Sequence, residues 1–323
     1  MSLPDRAGLQ SAMALVRAVM PPTPQQRWPL LDQRCGAQVW VKHENHSPVG
    51  AFKVRGGLVY MDALTRRQPG VRAVMSATRG NHGQSIAFAA ARHGLAASIV
   101  VPRGNSVEKN AAMRALGAEL IEHGEDFQAA RERAIALAAE RGAHMVPSYH
   151  DDLVRGVATY WMELFASFAA GDAPDVVFVP IGLGSGICAC AAARAACGVA
   201  TRIVGVVSAH APAYRLSFEA GRPIEAPVST QLADGMACRV PEPQALAVIR
   251  REVDEIVAVS DDEVAAAMRA LFADTHNVAE GAGAAALAAL LQQRGRWAGR
   301  RIGLSLSGGN VDSAVFARVL AAG

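Results

Sequence analysis

At 323 residues, with 51% hydrophobic and 19% charged residues, the chain has the make-up of an ordinary globular protein and the length of one large α/β domain or two lobes. Its net charge of +3 is spread without a basic run, which removes electrostatic support for nucleic-acid binding, and no apolar stretch reaches the roughly 20 residues of a membrane span. The start "MSLPDRAGLQ" lacks an apolar signal core, and five cysteines, an odd number, point to reduced thiols in the cytoplasm.

In chain order, "VRAVMSA" (71–77) reads as a strand and "NHGQSIAFAAARHG" (81–94) as a helix ending on a glycine. "ASIVVP" (97–102) is a strand closed by proline. "VEKNAAMRALGA" (107–118) is a helix, "ELIEH" a strand, and "FQAARERAIALAAERG" (127–142) a helix with a glycine stop. "DVVFVPIG" (175–182) is a continuous apolar run, as a strand buried on both faces requires. A helix and "TRIVGVV" (201–207) follow, then "DEIVAVS", two alanine-rich helices, the strand "RRIGLSLS" (300–307) and a last helix. This alternation predicts an α/β fold of two interleaved domains, each a mostly parallel twisted sheet covered by helices. Residues 1–70 with 150–323 are expected to form the larger domain, and 71–149 the smaller one, which would close over substrate.

Three stretches carry chemistry. "VPIGLGSGICA" (179–189) runs from a buried strand through Gly182, Gly184 and Gly186 into a helix. Such a turn suits a phosphate, or else is a tight turn with close helix packing. The dinucleotide fingerprint is absent: the spacing is G-x-G-x-G, and the next strand ends in Val206-Val207-Ser208 without an acid. "SATRGNHGQS" (76–85) is a second strand-to-helix turn, suited to a carboxylate or serving as a plain helix cap. "SPVGAFKVRGG" (47–57) holds Lys53, one of only three lysines among 32 basic residues; the others are Lys42 and Lys109. A lysine amine can lose its proton and attack a carbonyl, which a guanidinium cannot do, although Lys53 also reads as a surface side chain. The nine histidines and five cysteines show no zinc-ligand spacing, so no metal is expected.

The order of these motifs resembles the fold-type II pyridoxal phosphate (PLP) enzymes, the tryptophan synthase β-like group, and within it the serine/threonine dehydratases and serine racemases. The likeness covers nearly the whole chain, through "HENHSPVGAFKVRGG", "TRGNHGQ", "PIGLGSG", "LADGMA", "EGAGAAALAAL" and "LSGGNVD". It implies that Lys53 holds PLP as a Schiff base and takes the substrate α-proton. It further implies that Asn81 meets the cofactor 3-hydroxyl, that the backbone of Gly182, Leu183, Gly184, Ser185 and Gly186 cradles the phosphate with help from the Ser185 hydroxyl, and that Ser307 faces the pyridine nitrogen. Thr78, Gly80, Asn81 and His82 would hold the substrate carboxylate. The implied reaction is dehydration and deamination of a 3-hydroxy amino acid such as L-threonine or L-serine to a 2-oxo acid and ammonia. A bulkier substrate (a β-aryl serine or 3-hydroxyaspartate) and a racemase are the alternatives. A β-replacement synthase and a phosphate-binding module without catalysis are further readings.

There are four departures from the family pattern, the last of them at two positions. Ala51 stands in place of a serine and Leu183 in place of a glycine, so the Leu183 side chain must point away from the phosphate. Arg79 stands where racemases carry a serine acid/base, and a guanidinium is a poor base, so little racemisation is expected. Arg79 would instead bind a substrate group, stack on a ring, or point outward to an acid. In "GVVSAHAPAY", Val207 and Ala213 replace the carboxylates of metal-activated relatives, so no divalent-metal site is expected there. The chain stops soon after "LSGGNVD", which predicts no regulatory domain and a catabolic role. The family is commonly dimeric, which implies a homodimer acting on a small amino acid.

Overall fold

A computed structural model describes residues 3–322. The chain opens with α1 (Arg6–Arg17), β1 (Gln25–Arg27), α2 (Pro29–Cys35) and β2 (Gln38–His43), and α3 (Lys53–Arg67) then carries it away from the first sheet. Next come β3 (Ala73–Ala77), α4 (Asn81–Arg92), β4 (Ala96–Val101), α5 (Val107–Ala115), β5 (Glu119–Glu122), α6 (Phe127–Arg141) and β6 (His144–Met145). Helix α7 (Asp151–Ala166) leads back to β7 (Val176–Pro180), α8 (Ser185–Cys197), β8 (Arg202–Ser208), α9 (Ala213–Ala220), α10 (Pro243–Glu252) and β9 (Glu255–Val259). The chain finishes with α11 (Asp261–Thr275), α12 (Gly281–Gln292), β10 (Arg301–Leu306) and α13 (Ser313–Ala321).

The strands form two sheets. One has six strands in the order β1-β2-β10-β7-β8-β9, parallel except for β1; the other has four, β5-β4-β3-β6, all parallel. This is the α/β architecture the alternation predicts, with helices on the sheet faces. The buried run of β7 explains its central place, because residues Val176–Val179 are covered on both faces. Helix α12 is apolar all round, and Gly281–Leu290 are all buried in the core between the large sheet and α11. Helix α8 has the same small-residue character and packs with α7 on the opposite face.

Boundaries shift where local chemistry intervenes. Helix α5 stops at Ala115, short of the predicted 118, because Gly117 takes a left-handed φ of 85°. Strand β4 ends at Val101 before Pro102, which has no N–H to pair. Helix α6 is capped by Asp126, whose side chain accepts from the Ala129 N–H, and ends on left-handed Gly142. Among the described residues no helix is long and apolar enough to cross a membrane.

Candidate active site

The site grows from the C-terminal ends of the large sheet's strands. Strand β10 ends at Leu306, and the next carbonyl, Ser307, accepts from the Phe52 N–H at 2.9 Å. Ala51 pairs with Gly308 in an isolated antiparallel bridge, and the Ser47 hydroxyl closes a turn on the Ala51 N–H (2.9 Å) and carbonyl (2.8 Å). The segment before α3 is thus laid over the end of β10. Lys53 is the first helical residue after it, next to Phe52 as cap.

The Lys53 amine donates to the Ser185 hydroxyl at 2.8 Å and lies 5.0 Å from the Phe52 ring centroid. The side chain is half-buried. Desolvation lowers its pKa to about 8, with no carboxylate acting on it. The amine therefore loses its proton far more easily than an ordinary lysine does.

Ser185 begins α8, directly after the turn that follows β7. Gly184 caps this helix at φ 97° and ψ −9°, a conformation that a side chain would strain. A Cβ on Gly182 would collide with the Gly235 carbonyl. The Leu183 carbonyl accepts from the Tyr214 hydroxyl at 3.0 Å, and its side chain packs on the apolar cluster around α8. The free N–H groups of the first turn of α8 and its positive dipole end converge on the place where the lysine amine sits. Gly186 lies in that turn, and its carbonyl accepts from the Trp161 indole at 3.2 Å.

The loop between β3 and α4 supplies a second helix N-terminus. The Thr78 hydroxyl accepts from the N–H groups of Gly80 (2.9 Å) and Gly83 (3.2 Å), so its acceptor capacity is engaged in shaping the turn. Asn81 is the first residue of α4 and donates from Nδ2 to the Glu280 carboxylate. His82 is buried. One ring nitrogen donates to the Pro147 carbonyl, while Nε2 has no hydrogen-bond partner. Burial, with the nearby Lys53 charge, lowers its pKa to about 3, so the ring is neutral. Arg79 is half-buried and has no hydrogen-bond or ion-pair partner among the described residues. Ser307 is buried, with its hydroxyl at a long 3.5 Å from the Ala282 carbonyl.

Sequence reasoning missed a second set of side chains here. Lys109 on α5 pairs with Asp234 at 2.8 Å and Glu280 at 3.0 Å. Burial works against its charge, but the two carboxylates outweigh this and hold the ammonium above its ordinary pKa. Burial raises Glu280; Asp234 adds to the effect and Lys109 opposes it. The sequence did hold a clue, since Lys109 is one of three lysines in a chain that otherwise uses arginine. Lys42 and Lys109 are both buried. Among the described residues no group of three His, Cys, Asp or Glu side chains gathers as metal ligands would; Val207 lies on β8 and Ala213 begins α9.

These residues fit a phosphorylated aldehyde cofactor. The uncompensated amine matches the aldehyde, and the turn before α8 requires glycine at 182 and 184, where a Cβ would strike the Gly235 carbonyl and the Ala245 methyl, while the N–H groups at a helix start suit an anion. The buried hydroxyl of Ser307 can face a ring nitrogen without adding charge.

Residues 16–308 match the family described as pyridoxal-phosphate dependent enzyme. The chain is 36% identical to an L-threonine ammonia-lyase of Geobacter sulfurreducens over 283 residues, 87% of this chain and 69% of that protein. It is 31% identical to an L-threo-3-hydroxyaspartate ammonia-lyase of Saccharomyces cerevisiae over 323 residues, 99% of this chain and 97% of that protein. The fold superposes on the processed form of threonine deaminase isoform 2 from Solanum lycopersicum with a TM-score of 0.87 and 26% identity, covering 98% of this chain and 93% of the other.

Proposed function

The chain belongs to the pyridoxal-phosphate dependent enzymes, and on that premise we propose how it acts as an ammonia-lyase that dehydrates a 3-hydroxy amino acid to a 2-oxo acid and ammonia. L-Threonine and L-serine are the first candidate substrates. When bound, the cofactor supplies an electron sink for the pair left by α-proton removal. Lys53 anchors the cofactor and, once released by substrate, is the base for the α-proton; its pKa, lowered to about 8, makes the neutral, basic form far more accessible than in an ordinary lysine. The α8 turn with Ser185 holds the phosphate, Asn81 and Ser307 meet the ring substituents, and the N–H groups at the start of α4 take the substrate carboxylate. The Cβ–O bond breaks as water leaves, and the released enamine tautomerises and is hydrolysed to the 2-oxo acid and ammonia.

One observation carries this reading: a lysine amine without a carboxylate partner, 2.8 Å from a serine hydroxyl at a glycine-capped helix N-terminus. Purified protein supplied with PLP should be yellow and release ammonia from L-threonine or L-serine. Colourless protein, or colour retained in K53A, would overturn it.

A second substrate reading rests on Arg79. A half-buried guanidinium without a partner beside the carboxylate loop suits a second substrate carboxylate, as in 3-hydroxyaspartate. Ammonia release across a panel of 3-hydroxy amino acids decides between the two. The same group makes racemisation unfavourable, because it cannot exchange a proton at neutral pH.

The division into a cofactor unit (1–70 with 150–323) and a closing unit (71–149) is supported by the four-stranded sheet lying wholly within 73–145. A homodimer in the cytoplasm is in keeping with the family resemblance, and light scattering of purified protein tests the assembly.

A further inference from the structure

We propose that Lys109 is a positioning residue: through Glu280 it fixes the side-chain amide of Asn81 so that one N–H of that amide stays free for the bound cofactor. The inference rests on the proposed function in one respect, that a cofactor binds against Asn81.

The orientation of Asn81 follows from a chain of hydrogen bonds whose ends cannot be reversed. The Val49 carbonyl can only accept, so the group 2.8 Å from it on Asn310 is the amide nitrogen. That nitrogen also lies 2.9 Å from Asn81, which must present its oxygen. The Asn81 nitrogen then faces Glu280, to which it donates. An amide nitrogen has two N–H groups, and Glu280 takes one. Asn310 sets which way round the Asn81 amide stands, and ionised Glu280 holds its nitrogen end in place. A protonated carboxyl could turn its O–H toward that nitrogen, which loses this hydrogen bond and leaves the amide held by Asn310 alone.

Glu280 has reason to take up a proton. It is buried, and the charged groups facing it are Asp234, which repels its charge, and Lys109 from α5. Among the described residues Lys109 is thus the cation that opposes the proton. Its position is itself secured. The ammonium bridges both carboxylates, and its aliphatic stem fills the space where a Cβ on Gly80 would stand. Gly80 has φ 156° and ψ −84°, open to glycine alone, so the residue before Asn81 leaves room for the lysine that fixes it.

The test uses holoenzyme carrying K109M, K109R, E280Q or K109M/E280Q. K109M should lower kcat about tenfold or more, and E280Q should do the same, while the double variant is no worse than either alone because both break one linkage. The pH midpoint of the visible cofactor band should move by about one unit in K109M and in E280Q, with K109R close to wild type. In cofactor-free protein, infrared difference spectra should show a protonated-carboxyl C=O stretch in K109M that disappears in K109M/E280Q. Losses that multiply in the double variant, or a K109M whose melting temperature falls while band midpoint and infrared spectrum match wild type, would overturn the proposal. So would wild-type kcat and band midpoint in E280Q, the variant that decides if K109M does not fold. If no 3-hydroxy amino acid releases ammonia, the band and infrared readouts still decide this inference, and the failure belongs to the proposed reaction alone.

Discussion

The ammonium of Lys53 donates to the hydroxyl of Ser185 at 2.8 Å, joining residues 132 positions apart. The contact puts a cation at the positive end of a helix, where a cation is unfavourable. Both groups lack an anion, and a phosphate on the α8 turn would relieve both. The strand-to-helix turn and the lysine are therefore placed together in a way that suits an anionic ligand carrying an electrophile, as the proposed function requires.

Replacing Lys53 by alanine should abolish the yellow colour and lower ammonia release by about a thousandfold or more, since no neighbouring amine can substitute. S185A should keep the covalent linkage and weaken cofactor affinity by about tenfold, the value of one hydrogen bond to a charged group. Equilibrium dialysis against PLP measures the second effect. Unchanged affinity in S185A would remove its hydroxyl from the cradle.

Only the neutral amine attacks an aldehyde, so the pH dependence of cofactor capture reports the Lys53 pKa. A pKa lowered to about 8 leaves the amine half neutral at pH 8. An ordinary lysine would be neutral to only about 0.3% there. The capture rate of cofactor-free protein should rise with pH through a midpoint near 8 and level off above it. A rate still climbing steeply at pH 10 would show that the site does not lower the pKa.

Much of the fold between 71 and 142 was legible because glycine, proline and cap residues punctuate each element there. Asp126, Gly142 and Pro102 mark ends by local chemistry alone. Strand β2 gave no such signal, because "QVWVKH" ends in a lysine and a histidine that look solvent-bound, although both are buried. Lys42 is placed there by Glu163 of α7, 2.7 Å away, a pairing that no local pattern contains. The site divides in the same way. Lys53, Ser185 and Asn81 sit in glycine-rich motifs that can be read along the chain. Lys109, Asp234 and Glu280 acquire a role only through contacts between the two sheets' helices and loops, beyond any sequence window.

Beneath α3 lies a buried charge cluster that holds the helix carrying Lys53. Arg55 is fully buried and donates to Glu44 at 2.7 and 3.0 Å and to Glu163 at 3.0 and 2.9 Å, and Lys42 completes a neutral set of four. R55M would strand two carboxylates with one lysine. It should cost about 3–5 kcal/mol, the range for removing one partner of a buried ion pair, read from denaturant midpoints. R55K, which keeps the charge but not the forked geometry, should fall between wild type and R55M. A loss below about 1 kcal/mol in R55M would show that the cluster is replaceable by apolar packing.

Acid should destabilise the protein through His43. This ring is buried, and its Nε2 accepts from the Trp28 indole at 3.1 Å. Burial lowers its pKa to about 4, with His46 contributing. Between pH 6.5 and about 4 the unfolded chain binds a proton here that the folded chain does not, so stability falls as pH drops through that window. The slope is about 1.4 kcal/mol per pH unit for this group, and buried His82 acts in the same sense. H43Q keeps an acceptor for Trp28 but does not titrate, so its stability should fall less steeply with acid. Parallel curves for H43Q and wild type would rule His43 out as the acid-sensitive group.

Helices α5 and α13 cap each other. The Asp312 carboxylate accepts from the N–H groups of Val107 (3.3 Å) and Glu108 (3.2 Å) and from the Ser106 hydroxyl, while Glu108 accepts from the N–H of Ser313 at 2.7 Å and from its hydroxyl. Each helix thus places an acid at the other's positive end, and the exchange holds α5, with Lys109 on it, against the end of the chain. D312A and E108A should each cost about 1 kcal/mol. Because both break one clasp, the double variant should cost less than their sum. If α5 closes with substrate, either variant should raise KM more than it lowers kcat, since part of the binding energy then goes into forming the clasp. Amide exchange at residues 107–115 gives an independent readout: protection there should fall in both variants while α8, on the far side of the amine, keeps its own. Exchange that rises equally in α8 would mean that the substitutions loosen the whole molecule and that the clasp has no local function.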